Sequence, residues 1–413
     1  MFKNYLLTAY KVFMRRKLFT AINLLCIVLT LVVLMVLTAM MENAFYPSGV
    51  EGKSDRFLQI MVLQMKSPDG RSTSTSPLGF KMIDKYLKPM RSVERVAAVT
   101  MPRTVSVYQD GQVTELEMRR ADADYWKILD FTLLAGRFPT AEDDDKGRFV
   151  AVINATSARR LFGANPALGK LLSVGGQQFQ IIGVVQDELH MNAYADLWAP
   201  IATFPSTAYR NEIRGEFAAL LLARDKADLP QIQRDVQAIA KEVEFPDPKA
   251  WNKAQFWADS KLALFARTTI GDADTEDSGA LKLMAIVAAM MLLFMLLPAL
   301  NLVNLNTGRI LERSSEIGVR KAFGATSAQL VRQLLVENVL LCLVGGALGL
   351  LAAKGVLLWL ESSGLVPYLK VNMNFAVMGY GLLITLVFGI VSGVLPAWKM
   401  SRLDPVHALK GAI

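Results

Sequence analysis

Cysteine and histidine are all but missing, at two each in 413 residues. Cys26 and Cys342 both fall inside apolar runs, so neither can staple a soluble domain through a disulfide. His190 and His407 stand far apart, and no Cys/His cluster can be drawn, which argues against a zinc site. The signatures of several chemistries are missing as well. There is no G-x-x-x-x-G-K-[ST] phosphate loop, no G-x-S-x-G, no H-E-x-x-H and no C-x-x-C. Two histidines on opposite sides of a membrane cannot share a triad. The middles of the apolar runs hold no ionisable residue where an ion-driven carrier would need one; Lys354 comes nearest and is read as interfacial. No catalytic residue and no metal ligand is assigned, and the chain is not expected to be an enzyme.

What is abundant is apolar sequence: 53% hydrophobic residues and a mean hydropathy of +0.31, beside 20% charged residues. That is too apolar for an ordinary soluble protein and too charged for one lying wholly in lipid. Four runs, 18–41, 283–308, 334–360 and 375–398, are each long enough to cross about 30 Å of hydrocarbon at about 1.5 Å per residue. The third contains Glu337 and Lys354, both read as snorkelling to the interfaces. The first is too long for a signal-peptide core and lacks a cleavage site after it, so it is taken as retained. Acids are absent from residues 1–41, which carry Lys3, Lys11, Arg15, Arg16 and Lys17. Further bases sit in 309–338 and in the tail, so the net charge of +8 is concentrated on one side. The positive-inside rule then places both termini in the cytoplasm, and nucleic acid is not needed to explain the charge.

The expected architecture is an α+β membrane protein: four transmembrane helices with a large mixed α/β extracytoplasmic domain between helices 1 and 2. Residues 1–17 form a cytoplasmic amphipathic helix with Phe2, Leu6, Ala9 and Phe13 on one face. Span 18–41 follows, then the external domain 43–281, span 283–308, a cytoplasmic segment 309–333, spans 334–360 and 375–398, and a tail 399–413. Within the domain, 56–65, 148–153, 178–185 and 216–224 read as strands. "TSARRLFG" (156–163) and "LPQIQRDVQAIAKEVE" (229–244) read as helices, and the Gly-Gly of "SVGGQQF" as a hairpin turn. The acidic run "AEDDDKG" (141–147) lacks the spacing of a calcium loop and is read as a solvated turn.

Small residues recur at helical spacing in the last two spans: Gly345, Gly349 and Ala353, then Gly389 and Gly393. They let helix backbones approach closely in lipid, within one chain or between two. Asn301, Asn304 and Asn306 can hydrogen-bond between helices near the inner face. The segment 313–338, "RSSEIGVRKAFGATSAQLVRQLLVEN", is more structured than a return turn needs. Ser314 or Ser315 can cap a short helix, Gly324 sits where it should end, and Thr326 with Gln329 forms a T-x-x-Q capping box for the next helix.

This stretch resembles the signature loop of the FtsX/MacB-type ABC transporter permeases, roughly R-x-x-E-I-G-x-R-K-A-x-G-A. "RRKLFTAINLL", "DADYWKILDFTLLAGRFP", "LPAWKMSRLDPVHALKG" and "VAVINATSARRLFG" followed by "PALGKLLSVGGQQFQIIGVV" agree, so the likeness covers essentially the whole chain. The resemblance implies that Glu316, Ile317, Gly318, Arg320, Lys321, Gly324 and Ala325 form a coupling helix that docks on a nucleotide-binding subunit. It implies a bacterial inner-membrane permease that works as a homo- or heterodimer and turns ATP-driven closure into movement of a periplasmic domain. ATP and Mg would be bound by the partner ATPase, expected as a separate polypeptide because span one begins near residue 18. A periplasmic adaptor and an outer-membrane duct are further partners by analogy. A lipoprotein-releasing permease, a regulator of cell-envelope enzymes and a receptor without an ATPase are the alternatives.

Overall fold

The computed structural model describes residues 17–109, 111–271, 275–312 and 326–363, with scattered positions from 10–15, 319, 323 and 379–394. The described residues divide into two compact units, one of Asn43–Leu283, the other of the long helices on either side of it.

The first unit is built on a ten-stranded sheet. Its strands are β1 (Phe57–Ile60), β4 (Arg95–Thr100), β5 (Arg103–Gln109), β6 (Gln112–Ala121), β7 (Leu133–Gly136), β8 (Val150–Asn154), β9 (Leu171–Val174), β10 (Gln177–Val185), β11 (Leu197–Pro200) and β12 (Phe217–Leu222). They run in the order β1-β12-β4-β6-β11-β8-β10-β9-β5, with β7 on β10. Strand β5 also pairs with β6, so six strands from β6 round to β5 close into a ring. The ring is filled by Val107, Leu116, Met118, Ile153, Phe179 and Ile181 with their neighbours.

Strand β12 shows why a continuous apolar run suits a central strand. Phe217, Ala219 and Leu221 face one core, while Ala218, Leu220 and Leu222 face the other. The helix Leu229–Glu242 covers the first core with Ile232 and Val236, both fully buried, and has proline in its first turn. Each such side chain contributes about 1.5–3 kcal/mol. The Gly175–Gly176 turn, both residues at positive φ, joins β9 to β10. The helix Ala155–Phe162 is capped by Asn154 and ends at Gly163, φ 60°.

Two expectations are corrected. Residues 56–65 are not one strand: β1 ends at Ile60, and β2 (Leu63–Lys66) belongs to a separate three-stranded sheet with β3 (Thr73–Ser76) and β13 (Lys253–Gln255). Buried apolar side chains run on through Phe57, Leu58, Ile60, Met61, Leu63 and Met65, so the sequence pattern alone cannot register a change of sheet at Met61–Val62. The acidic run is not a solvated turn. Residues Ala141–Asp145 form a helix with a Thr140–Asp143 capping box, and the fully buried Asp143 is bonded by Arg137 at 2.6 Å and Arg148 at 3.1 Å. Those arginines hold its carboxyl well below the usual carboxylate range. Two cations from outside the run outweigh its local negative charge.

In the second unit, helices Lys17–Phe45, Ala280–Glu312 and Ser327–Ser363 stand out. Among the described residues, Thr20–Phe45 and Val331–Ser363 are long and apolar enough to cross a membrane. The charge-free run 283–308 lies within the helix Ala280–Glu312. Most of 375–398, and all of 1–9 and 399–413, lie outside the described residues.

Candidate functional site

The helices Lys17–Phe45 and Ser327–Ser363 meet along two ridges of four-residue spacing. On the second, Glu337, Leu341, Gly345, Gly349, Ala353 and Leu357 are all buried; on the first, Asn23, Ile27, Leu31, Met35 and Ala39 are. A β-carbon on Gly345 would lie 2.8 Å from Ile27 Cγ2, and one on Gly349 would lie 3.0 Å from Leu31 Cβ. Both contacts advance by four residues together, so the two helices run in the same direction. Such i±4 ridges interlock when small residues remove the obstacle. Gly389 and Gly393 lie outside the described residues.

Glu337, expected to reach out to an interface, is buried instead. Gln333 Nε2 donates to its Oε1 at 3.1 Å, and it occupies the same ridge as Gly345 two turns earlier. Lys354, one residue beyond that ridge, is exposed.

At the start of the same helix the capping box is formed. Thr326 N donates to Gln329 Oε1 at 3.1 Å, and Gln329 N donates to Thr326 Oγ1 at 3.4 Å. Two first-turn amides thereby find acceptors. Glu316, Ile317, Gly318, Arg320, Lys321, Gly324 and Ala325 lie outside the described residues. Between them, Phe323 N donates to Val319 O at 3.0 Å, and both side chains are exposed.

A polar cluster in the Asn43–Leu283 unit escapes sequence reasoning. Its centre is Glu51, fully buried, whose carboxylate accepts from Lys261 Nζ at 2.7 Å and from the backbone and side-chain nitrogens of Asn192 at 2.9 and 3.0 Å. Lys261 opens the helix Lys261–Thr269, capped by Ser260, and also donates to Tyr46 O at 3.4 Å. Phe265 of that helix packs on Phe45, the last residue of the first long helix, with ring centroids 5.3 Å apart. The segment entering this unit is therefore pinned to the short helix that precedes Ala280–Glu312.

One turn earlier, His190 Nε2 lies 3.0 Å from Ser48 Oγ and its Nδ1 lies 3.2 Å from Glu188 Oε2. The order Ser-His-Glu matches a nucleophile, base and orienting acid in contacts. Ser48 Oγ, however, also lies 3.3 Å from Asn43 O and 3.4 Å from Tyr46 O, so its neighbours are carbonyls of the helix end. Gly49, at φ +48°, has room for no side chain: a β-carbon would meet His190 Cε1 at 2.8 Å. Glycine at this position is the one local signal of a close approach.

Beneath the cluster, the buried Arg119 donates to the carbonyls of Tyr194, Thr100 and Met191 at 2.8–2.9 Å. Burial lowers its pKa from the ordinary value. The nearby Asp122 is pushed up to about 6 by burial, against the pull of Lys88 at 3.3 Å. Among the described residues, no group of three or more His, Cys, Asp or Glu is placed to hold a metal.

The ring-closing α/β domain follows the first of the long apolar helices, and both parts of this arrangement match known protein families. The MacB-like periplasmic core domain matches residues 20–239, and the FtsX-like permease C-terminal domain matches residues 288–405. The chain belongs to the MacB/FtsX-type ABC transporter permeases.

Among its relatives is the uncharacterized ABC transporter permease YknZ of Bacillus subtilis, 25% identical over 79% of this chain and 77% of that protein. The macrolide export ATP-binding/permease protein MacB of Bdellovibrio bacteriovorus is 28% identical over 69% of this chain, and the pyoverdine export ATP-binding/permease protein PvdT of Pseudomonas aeruginosa 27% over 70%. The matched part spans only 42% and 41% of those two proteins. The solved periplasmic region of MacB from Actinobacillus actinomycetemcomitans is similar over 54% of this chain, at 15% identity and a TM-score of 0.39.

Proposed function

We propose that this chain is the permease subunit of a bacterial inner-membrane ABC transporter that drives export of a substrate from the outer side of that membrane. A cytoplasmic ABC ATPase binds ATP and Mg and docks on the segment 309–333, with Glu316, Ile317, Gly318, Arg320, Lys321, Gly324 and Ala325 in contact. The permease catalyses no reaction itself and acts as a pair, with a second copy or a sister permease. The names of two relatives, for macrolide and pyoverdine export, favour export over a regulatory role.

The observation that carries this reading is the single capped helix Ser327–Ser363. At 1.5 Å per residue it is about 55 Å long, a rod reaching from one side of a bilayer to the other. It is locked by Gly345 and Gly349 to the helix Lys17–Phe45, which runs on into the periplasmic domain. On this reading, displacement of the capped end passes to the domain without a tunnel for substrate. The parallel sense of these two helices also favours one crossing between them, by the helix Ala280–Glu312. That fits the four-span topology, with both termini cytoplasmic and residues 43–281 outside.

The test is copurification of the full chain from native membranes. An ATPase with a phosphate-binding loop should be recovered with it, and Glu316→Lys or Arg320→Glu should cut that recovery. Absence of any nucleotide-binding subunit from the unaltered preparation would defeat the reading.

A further inference from the structure

The cluster around His190 carries a feature that the export reading does not require. His190 joins its own loop to the segment that has just left the first long helix, through Glu188 on one ring nitrogen and Ser48 on the other. Its side chain and that of Glu188 are each about nine-tenths buried, at 11% and 10% exposure. It is one of two histidines in the sequence, and histidine is the side chain whose charge ordinarily changes between about pH 5 and 8.

We propose that His190 is a proton-sensitive positioning residue, holding the segment 46–52 more tightly when the ring is protonated. The hydrogen-bond inventory gives the direction. In the neutral ring, Nδ1–H donates to Glu188 and Nε2 accepts the Ser48 hydroxyl proton. Protonation turns Nε2 into a donor to Ser48 Oγ, and the released hydroxyl proton turns to Asn43 O or Tyr46 O, at 3.3 and 3.4 Å. A continuous relay then runs from Glu188 through His190 and Ser48 to the carbonyl end of the helix.

The charged groups around His190 come from its own loop and from the elements packed against it. On the same loop, Glu188 is in direct contact, and Asp187 lies 3.8 Å from Arg159. From the facing segment, Glu51 is already paired with Lys261 of the helix Lys261–Thr269. Arg119, bonded to the carbonyls of Met191 and Tyr194, is the opposing cation.

The test is amide hydrogen exchange on the full chain in detergent, at about pH 5.5 and 7.5, expressed as protection factors so that intrinsic exchange is removed. Protection across 46–52 should rise roughly three- to tenfold at the lower pH, the worth of one hydrogen bond strengthened by charge. The strand Phe217–Leu222 serves as the internal reference. His190→Gln and, independently, Ser48→Ala should abolish the rise while leaving the reference strand protected. Equal protection of 46–52 at both pH values, or a rise that survives in either folded variant, would overturn the proposal.

Discussion

Gly345 lies so close to Ile27 that a β-carbon on it would sit 2.8 Å from Ile27 Cγ2 and 3.1 Å from Ile27 Cβ. Isoleucine is stiff at χ1, so it cannot swing aside as a longer unbranched chain would. Gly345→Ala must therefore separate the two helices or force Ile27 off its rotamer. The expected cost is about 1–3 kcal/mol, the range for overpacking a tight contact. Gly355, on the same helix, is the control, since a β-carbon there would meet nothing within 4 Å. Gly355→Ala should be neutral or raise stability by up to about 1 kcal/mol through helix propensity alone. Thermal unfolding of the purified chain in detergent distinguishes the two; equal behaviour would refute the seam.

A second expectation concerns Lys261 and Glu51. Lys261→Met leaves a fully buried carboxylate with only Asn192 as a donor. Breaking a buried pair from one side costs about 3–5 kcal/mol, much of it the penalty of the stranded charge. The double variant Lys261→Met with Glu51→Gln should recover a good part of the loss. Denaturant titrations followed by tryptophan emission, dominated in this domain by Trp126, Trp198, Trp251 and Trp257, measure both. A double variant no better than the single one would count against the account.

Asp122 sets a pH dependence whose sign follows from burial. Its pKa in the folded domain is about 6, above the ordinary 3.8. The folded state therefore binds the proton more tightly than the unfolded chain does. Stability is greatest at and below pH 4 as far as this group is concerned, and falls as pH rises from about 4 to 6. The total contribution is about 3 kcal/mol for a shift of roughly two units. Asp122→Asn should flatten that part of the profile in denaturation measured between pH 4 and 7.5. A profile unchanged by the substitution would exclude Asp122 as its source.

These three sites differ in how far the amino-acid order announces them. Small residues at 345, 349 and 353 mark a packing ridge because the helical period alone places them on one face, although their partners Ile27 and Leu31 come from the other end of the chain. The β9–β10 hairpin and the helix opened by Pro230 are equally local. Closure of the strand ring is not, since it depends on Val107 meeting Val174. Neither is the cluster at the domain entrance, where Glu51 and Lys261 stand 210 residues apart and Ser48 and His190 142 apart. Asp143 misleads for a related reason: its run looks like a solvated acidic turn until Arg137 and Arg148 fold back onto it. Periodicity reports the face of an element, and it carries no record of which distant charge will cover that face.

The capping box at Thr326 supplies the last expectation, and it separates a rod from a hinge. If movement enters at the start of the helix Ser327–Ser363, the first turn must stay wound under load. Thr326 Oγ1 accepts from Gln329 N and Gln329 Oε1 accepts from Thr326 N, so losing the threonine hydroxyl frees one amide and slackens the reciprocal bond. Thr326→Ala should cost about 0.5–2 kcal/mol locally, whereas Thr326→Ser or Thr326→Asp keeps an acceptor in place. On the proposed reading, the frayed variant should still bring down an ATPase, because the proposed docking residues are untouched, but stimulate ATP turnover by the assembled complex several-fold less. The two conservative variants should behave like the parent. If Thr326→Ala couples as well as the parent, the cap is only a fold stabiliser.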